Sequence, residues 1–285
     1  MLVRNLWREV ETMLGKSFPS EIAKRDARLL LQYGLDLNHP QLYGYLNTEV
    51  PKWMQESIMA SVTMRLEGEP MQYIIMEQEF WGLSFQVSHG VLIPRPETEH
   101  LVEYVLTLCG DGRLIRIADL GSGSGCIAVA LALALPKSVK ANIEAIEREQ
   151  LSCEALATNI EKYKAGDRVR LVEGDMAEVL RGKYDILVSN PPYIPTDEMK
   201  TLPLEVQREP QAALEGGYDG LDYYHLLGKL AIQHLTGSGH LVVEIGSGQA
   251  IAVSSIFANL GLNIVDVVED LAGIPRVVAA GKMDN

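Results

Sequence analysis

The run IADLGSGSGCIAVALALAL, Ile117 to Leu135, changes character twice. An apolar strand closes on Asp119 and Leu120, five small residues follow (Gly121, Ser122, Gly123, Ser124 and Gly125), and the chain continues as an unbroken apolar helix. Glycine is needed where the backbone takes φ > 0 or must let a ligand approach to contact distance. Strand, glycine-rich turn and buried helix in that order open an α/β nucleotide-binding sheet, whose ligands lie across the turns at the carboxyl ends of the strands. Taken alone, such a loop also reads as nothing more than a tight turn.

Downstream, strand-like runs at Ile143–Glu147, Val169–Glu173, Tyr184–Ser189, His240–Ile245, Asn263–Val268 and Arg276–Ala280 alternate with helical stretches, which predicts a mainly parallel, doubly wound sheet. Upstream, EFWGLSFQVSHGVLIP from Glu79 mixes aromatic and β-branched residues around two glycines and reads as a hairpin. Before it, Leu2, Leu6, Val10 and Leu14, then Ala27, Leu30 and Leu31, then Ile58, Val62 and Leu66 recur at helical spacing, with breaks at Gly15–Pro19, Asn38–Pro40 and Thr48–Pro51. The expected organisation is a helical bundle over residues 1–75, a β-hairpin connector over 76–93 and the α/β domain over 94–285.

Composition narrows the function classes. The chain has 285 residues, 47% apolar, with net charge −13, a balance of −1 in residues 1–75 and −12 in the rest. That field repels nucleic-acid phosphates unless a basic patch overrides it. Three widely spaced cysteines, Cys109, Cys126 and Cys153, suit neither a disulfide framework nor a zinc cluster and point to a reducing compartment, the cytoplasm. Charges interrupt the N-terminal apolar residues, so no signal-peptide core is expected, and the longest apolar run, AVALALAL, is far below the roughly 20 residues of a membrane span. The six histidines make no spaced metal set, and no metal is expected.

The chemistry-bearing residues fall at the ends of successive strands. Gly-x-Gly-x-Gly after an acid departs from the dinucleotide fingerprint and suits S-adenosylmethionine better than NAD. Glu147 ends the second strand of the sheet, where a carboxylate accepts from ribose hydroxyls, with Glu144 as the alternative if the register shifts. Asp175 is placed to accept from an adenine amino group, and Met176 to lie on the ring. For either acid alone, a solvated strand-end carboxylate is the competing explanation. In YDILVSNPPYIP the fourth strand delivers Asn190, Pro191, Pro192 and Tyr193 to the same edge. The prolines hold Asn190 in a rigid extended turn, and the Asn190 side-chain oxygen with the Pro191 carbonyl makes a pair of acceptors matched to a planar NH₂ group, beside an aromatic wall from Tyr193. Such a pair orients an amide nitrogen and stabilises the positive charge that builds on it as a methyl group arrives from a sulfonium.

On RDARLLLQYGLDL, FWGLSFQVSHGVLIPRPETEHLV, DLGSGSGCIA, NPPYIP, EPQAALEGGYDGLDYY and AGIPRVV, the chain resembles the HemK/PrmC family of release factor N5-glutamine methyltransferases nearly end to end. The resemblance implies a Rossmann-like class I S-adenosylmethionine-dependent sheet and methylation of the glutamine in the Gly-Gly-Gln tip of class-one peptide chain release factors, with S-adenosylhomocysteine as product. It maps the amide-holding turn onto Asn190 and Pro191, with Pro192 and Tyr193 completing the pocket, the cofactor loop onto Gly121 to Gly125 and the ribose acid onto Glu147. It gives residues 1–75 a docking role, and Arg95, Thr98 and Glu99 secondary roles beside the cofactor, against the plainer reading that Pro96-Glu97-Thr98-Glu99 is a capped helix start. A DNA N6-adenine methyltransferase, which would present the same turn to a base, is the alternative, but neither a basic groove nor a target-recognition insert is visible. No direct nucleic-acid partner and no membrane are expected.

Overall fold

The computed structural model describes residues 1–110 and 114–282; residues 111–113 and 283–285 of the expected 94–285 domain lie outside it. The chain forms two compact units, Met1–Met76 with Leu204–Arg208, and Glu77–Pro203 with Glu209 onward.

The first unit holds α1 (Val3–Leu14), α2 (Ser20–Leu35), α3 (His39–Gly44), α4 (Lys52–Leu66) and α5 (Met71–Ile75). Val3, Leu6, Val10, Leu14, Ala27, Leu31, Ile58 and Val62 bury one shared core, as their spacing requires. The break expected at Asn38–Pro40 is instead the start of α3: the Asn38 side chain accepts from the Gln41 amide at 3.0 Å and Gln41 Oε1 accepts in return at 2.9 Å. Proline at a helix start loses no hydrogen bond, so Pro40 opens this helix. Arg65, 1% exposed, bonds the fully buried Asp26 at 2.7 Å.

The second unit begins with the hairpin β1 (Glu77–Phe80) and β2 (Leu83–Gln86). Its turn holds Trp81 at φ 56°, a left-handed conformation rare for a large side chain, and the Trp81 amide donates to Glu99 Oε1 at 2.7 Å. The hairpin packs into this unit through Asn159, whose amide bonds both the N–H and the carbonyl of Gln86.

Then follow α6 (Glu99–Leu108), β3 (Leu114–Leu120), α7 (Cys126–Ala134), β4 (Lys140–Glu147), α8 (Gln150–Lys162), β5 (Val169–Glu173), α9 (Met176–Val179) and β6 (Tyr184–Ser189). The last elements are α10 (Leu204–Gln207), which belongs with the first unit, α11 (Asp222–His234), β7 (Leu235–Glu244), α12 (Ala250–Asn259), β8 (Leu262–Glu269) and β9 (Pro275–Lys282). Strand order is β5-β4-β3-β6-β7-β9-β8, parallel except that β9 runs antiparallel to β7 and β8. All seven expected strands of the doubly wound sheet are present. β7 starts five residues earlier than its apolar run, because the Thr-Gly-Ser-Gly stretch is absorbed as a bulge between the pairs Tyr184↔Leu235 and Ile186↔His240. Every residue of β6 is buried, as befits a parallel strand covered on both faces.

The chain passes from β3 outward to β4 and β5, then returns to β6 on the other side of β3. The β3/β6 boundary is therefore the topological switch point, where open α/β sheets form their ligand crevice. β3 ends at Leu120 and β6 at Ser189, and the Ser189 hydroxyl donates to the Leu120 carbonyl at 2.6 Å. Gly121 and Asn190 thus leave adjacent strands at the same height.

Candidate active site

A cavity of about 490 Å³ opens at these strand ends, within the usual range for a small-molecule site. It is lined by Gly121 and Gly123 from the loop, Glu147 after β4, Asp175 and Met176 after β5, and Asn190, Pro191 and Pro192 after β6. Eight of the expected site residues therefore meet in one place. Ser122, Ser124, Gly125 and Tyr193 do not line it.

The loop is pinned from below. The amides of Gly121 and Ser122 donate to the Ile146 carbonyl at 2.9 and 3.0 Å, and the Gly123 amide donates to Glu147 Oε2 at 2.8 Å. Ser122 turns its hydroxyl to the Asp119 carbonyl at 2.9 Å, and Ser124 is 2% exposed. Gly125 sits at φ 81°, where an added Cβ would lie 2.2 Å from Leu156 Cδ1, so this glycine serves helix packing and not a ligand. The Glu147 carboxylate also accepts the amides of Arg148 and Glu149 on Oε1, at 2.7 and 2.9 Å, which leaves about one of its four acceptor sites open toward the cavity. Glu144 is committed elsewhere, to the Tyr184 hydroxyl at 2.6 Å and Arg170 at 3.0 Å, and does not line the cavity. Asp175 caps α9 by accepting from Ala177 at 2.9 Å and faces Arg148 Nη1 at 3.5 Å.

Beneath the loop lies Asp119, fully buried, with neither carboxylate oxygen in a hydrogen bond and no described cation paired to it. Burial pushes its pKa up to about 7, against the pull of the nearby Ser122 hydroxyl and Ala128 amide, and the Glu147 charge raises it further. The Ser124 hydroxyl is likewise buried without a partner. Unsatisfied buried acceptors of this kind call for a ligand or a proton.

At the middle of the Asn190 turn, Pro191 and Pro192 carry carbonyl acceptors and no N–H groups. Asn190 Nδ2 donates to Thr98 Oγ1 at 3.0 Å, and no described residue donates to Asn190 Oδ1 or to the Pro191 carbonyl. Both oxygens are free to accept. The Tyr193 ring turns away from the cavity to pack beside Gly246, where an added Cβ would come within 3.0 Å of it. There, burial and the Glu244 charge push its phenol up to about 12. The expected aromatic wall comes instead from Tyr223, on the first turn of α11.

Other contributors fall in the EPQAALEGGYDGLDYY stretch, which carries the family resemblance but no chemical signature of its own. Pro210, Ala212, Ala213 and Asp222 line the cavity. The EPQAALEGGYDG segment that supplies most of them is stitched to the Asn190 turn: Ile194 N–H to the Leu214 carbonyl at 2.9 Å, Gly216 N–H to the Ile194 carbonyl at 2.9 Å, and Thr196 N–H to the Gly217 carbonyl at 3.0 Å. Glu209 at its head accepts the Ile93 amide at 3.0 Å and pairs with Arg95. Gln249 closes the brace, donating to the carbonyls of Tyr193 and Gly220 at 3.0 and 3.3 Å. The available signal was the cluster of glycines at Gly216, Gly217 and Gly220, which marks close backbone approach.

Comparison with known proteins finds relatives along nearly the whole chain. Residues 98–214 match the methyltransferase small domain and residues 5–75 the PrmC N-terminal domain. The release factor glutamine methyltransferase of Bradyrhizobium diazoefficiens is 38% identical over 277 residues, covering 94% of this chain and 91% of that protein. The one from Geobacter sulfurreducens is 40% identical over 262 residues, covering 90% and 89%. The hMettl16 catalytic domain, solved in complex with the MAT2A 3'UTR hairpin 6, superposes with a TM-score of 0.59 at 16% identity over 82% of this chain and 84% of that one, a likeness of fold alone. On relatedness that spans both units, the chain belongs to the release factor glutamine methyltransferase family.

Proposed function

We propose that this protein transfers a methyl group to the side-chain amide nitrogen of the glutamine in the Gly-Gly-Gln motif of class-one peptide chain release factors. The observation that carries the reading is the pair of acceptors without a described donor, Asn190 Oδ1 and the Pro191 carbonyl, at a turn whose two prolines have no N–H. A DNA N6-adenine reading is not favoured, because the relatives matched over nearly the whole chain are release factor methyltransferases.

The residues fit S-adenosylmethionine. Two buried acceptors without partners, Asp119 and Ser124, lie at a loop whose Gly121 and Gly123 face the cavity, and this suits a cationic, donor-bearing ligand. Of the glycine-rich loop and the strand ends, Gly121, Gly123, Glu147, Asp175, Met176 and Asn190 would hold it as cavity walls and Ser122 and Ser124 from beneath, while Gly125 packs the end of the loop against α8. When bound, it supplies an electrophilic methyl on a sulfonium. The protein's own part is orientation: Asn190 Oδ1 and the Pro191 carbonyl each accept one N–H of the target amide, which aims the nitrogen and stabilises the positive charge growing on it. Pro192 stiffens the turn, and Tyr193 anchors its exit through the Gln249 contact to its carbonyl. Transfer needs no base beforehand, since the amide proton becomes acidic only as the new bond forms.

The helical unit serves as the docking element, with Tyr43, Tyr45 and Trp53 exposed for a protein partner. No described helix is long and apolar enough to cross a membrane, and all three cysteines are free, which suits action in the cytoplasm. The test is transfer of labelled methyl to a release factor compared with one whose tip glutamine is replaced. Label on the first alone is expected, and equal label on both would overturn the assignment.

A further inference from the structure

Only one end of an asparagine amide accepts hydrogen bonds, so the end facing the cavity decides whether the Asn190 turn attracts or repels an NH₂ group. What holds the other end sets that choice. Asn190 Nδ2 donates to Thr98 Oγ1 at 3.0 Å, and the Thr98 hydroxyl donates its single proton to Glu244 Oε2 at 2.5 Å. Both Thr98 and Glu244 are 2% exposed, so no bulk water competes for these positions. Thr98 stands at the foot of α6 yet makes no side-chain capping bond there, so its hydroxyl does not serve as the helix cap that the sequence alone suggests. With Glu244 ionised the row has one direction, amide to hydroxyl to carboxylate, because a carboxylate only accepts.

We infer that Thr98 and Glu244 are positioning residues, which fix the Asn190 side-chain amide with its oxygen toward the cavity. A half-turn of that amide would point Nδ2 at the substrate and set donor against donor. Glu244 is itself held at the carboxyl end of β7, beside Glu97 and Arg95 ahead of α6, Arg276 on β9 and Tyr193, while the Tyr224 hydroxyl of α11 bonds its backbone carbonyl at 3.1 Å. Burial first, then the Glu97 charge, push its pKa up to about 7 against the Thr98 bond, and the two arginines lower it. Replacing Glu244 by Gln places an amide there that can donate to Thr98 as well as accept from it, so the row loses its single direction.

The kinetic consequence rests on the proposed methyl transfer; the structural one does not. The full chain is therefore compared as wild type, Thr98→Val, Thr98→Ser and Glu244→Gln by two readouts. One is solvent exchange of the Asn190 side-chain NH₂ protons by NMR, and the other is kcat and KM for transfer to a release factor. Thr98→Val is expected to speed that exchange about tenfold and lower kcat about 10-fold to 100-fold, with cofactor KM within about threefold of wild type. Thr98→Ser, which keeps the hydroxyl, stays within about threefold on both readouts, and Glu244→Gln follows Thr98→Val. Unchanged exchange in Thr98→Val, or a loss in Thr98→Ser as large as in Thr98→Val, would overturn the inference. If wild type shows no transfer while exchange responds as stated, the transfer reading fails and the positioning role stands.

Discussion

Gly220→Ala tests how rigidly the Asn190 turn must be held. Gly220 has φ 74°, and an added Cβ would lie 2.3 Å from the Tyr193 carbonyl oxygen and 3.1 Å from its carbon. Ordinary contact needs about 3.4 Å, so the two backbones must part by about 1 Å. The glycine loop has little slack to give: the Asp222 amide donates to the Gly216 carbonyl at 3.0 Å and Gln249 grips the Gly220 carbonyl at 3.3 Å. Much of the displacement therefore falls on Tyr193, three residues from Asn190. Misplacing a catalytic group by about 1 Å costs on the order of 100-fold in rate. The left-handed backbone adds about 1 kcal/mol of strain for alanine. Gly261→Ala separates the two effects, since Gly261 sits at φ 87° but its added Cβ would meet nothing within 4 Å. Steady-state methyl transfer below both melting points should show kcat reduced about 10-fold to 100-fold in Gly220→Ala and near wild type in Gly261→Ala. Wild-type turnover in Gly220→Ala, or an equal loss in both, would refute the bracing argument.

Further outcomes follow from the same geometry. Asn190→Ala removes one of two acceptors and is expected to lower kcat about 100-fold to 1000-fold, with cofactor affinity by calorimetry changed only modestly. Asp119 titrates near 7 in the fold against 3.8 as its ordinary value, so the folded state binds the extra proton between those limits and loses stability as pH rises through them. Asp119→Asn should accordingly raise the melting temperature more at pH 8 than at pH 5 while weakening S-adenosylmethionine binding; a variant that binds as well as wild type would deny the buried charge its role. In the helical unit, Asp26→Ala leaves Arg65 buried with only Glu205 Oε1 at 2.8 Å and the Glu69 carbonyl at 3.0 Å, and should cost about 3 kcal/mol by denaturant unfolding. A loss below about 1 kcal/mol would show that those contacts suffice.

What could be read from the chain depended on whether a feature was local. The glycine loop, the β6 run and the Asn-Pro-Pro turn carry their conformations in adjacent residues, and the sheet places them together because β3 and β6 are neighbours at the switch point. At two places the local pattern differs from the structure. Pro40 opens α3 because Asn38 and Gln41 cap it, and β7 begins ahead of its apolar run because the Thr-Gly-Ser-Gly before His240 is a strand bulge. Tertiary placement was harder. Whether a strand-end side chain faces the crevice or the sheet depends on partners that no spacing reveals, so Tyr193 was given to the cavity although its ring packs beside Gly246. The same applies to Glu244, 146 residues from Thr98, and to Glu209, 114 residues from Arg95.

If Asn190 and Pro191 hold a glutamine amide, tandem mass spectrometry of a class-one release factor incubated with this protein and S-adenosylmethionine will locate the methyl on that amide. One added methyl on the side-chain nitrogen of the Gly-Gly-Gln glutamine is the predicted result. A methyl on any other residue, or an unmodified release factor from protein that binds the cofactor, would contradict it.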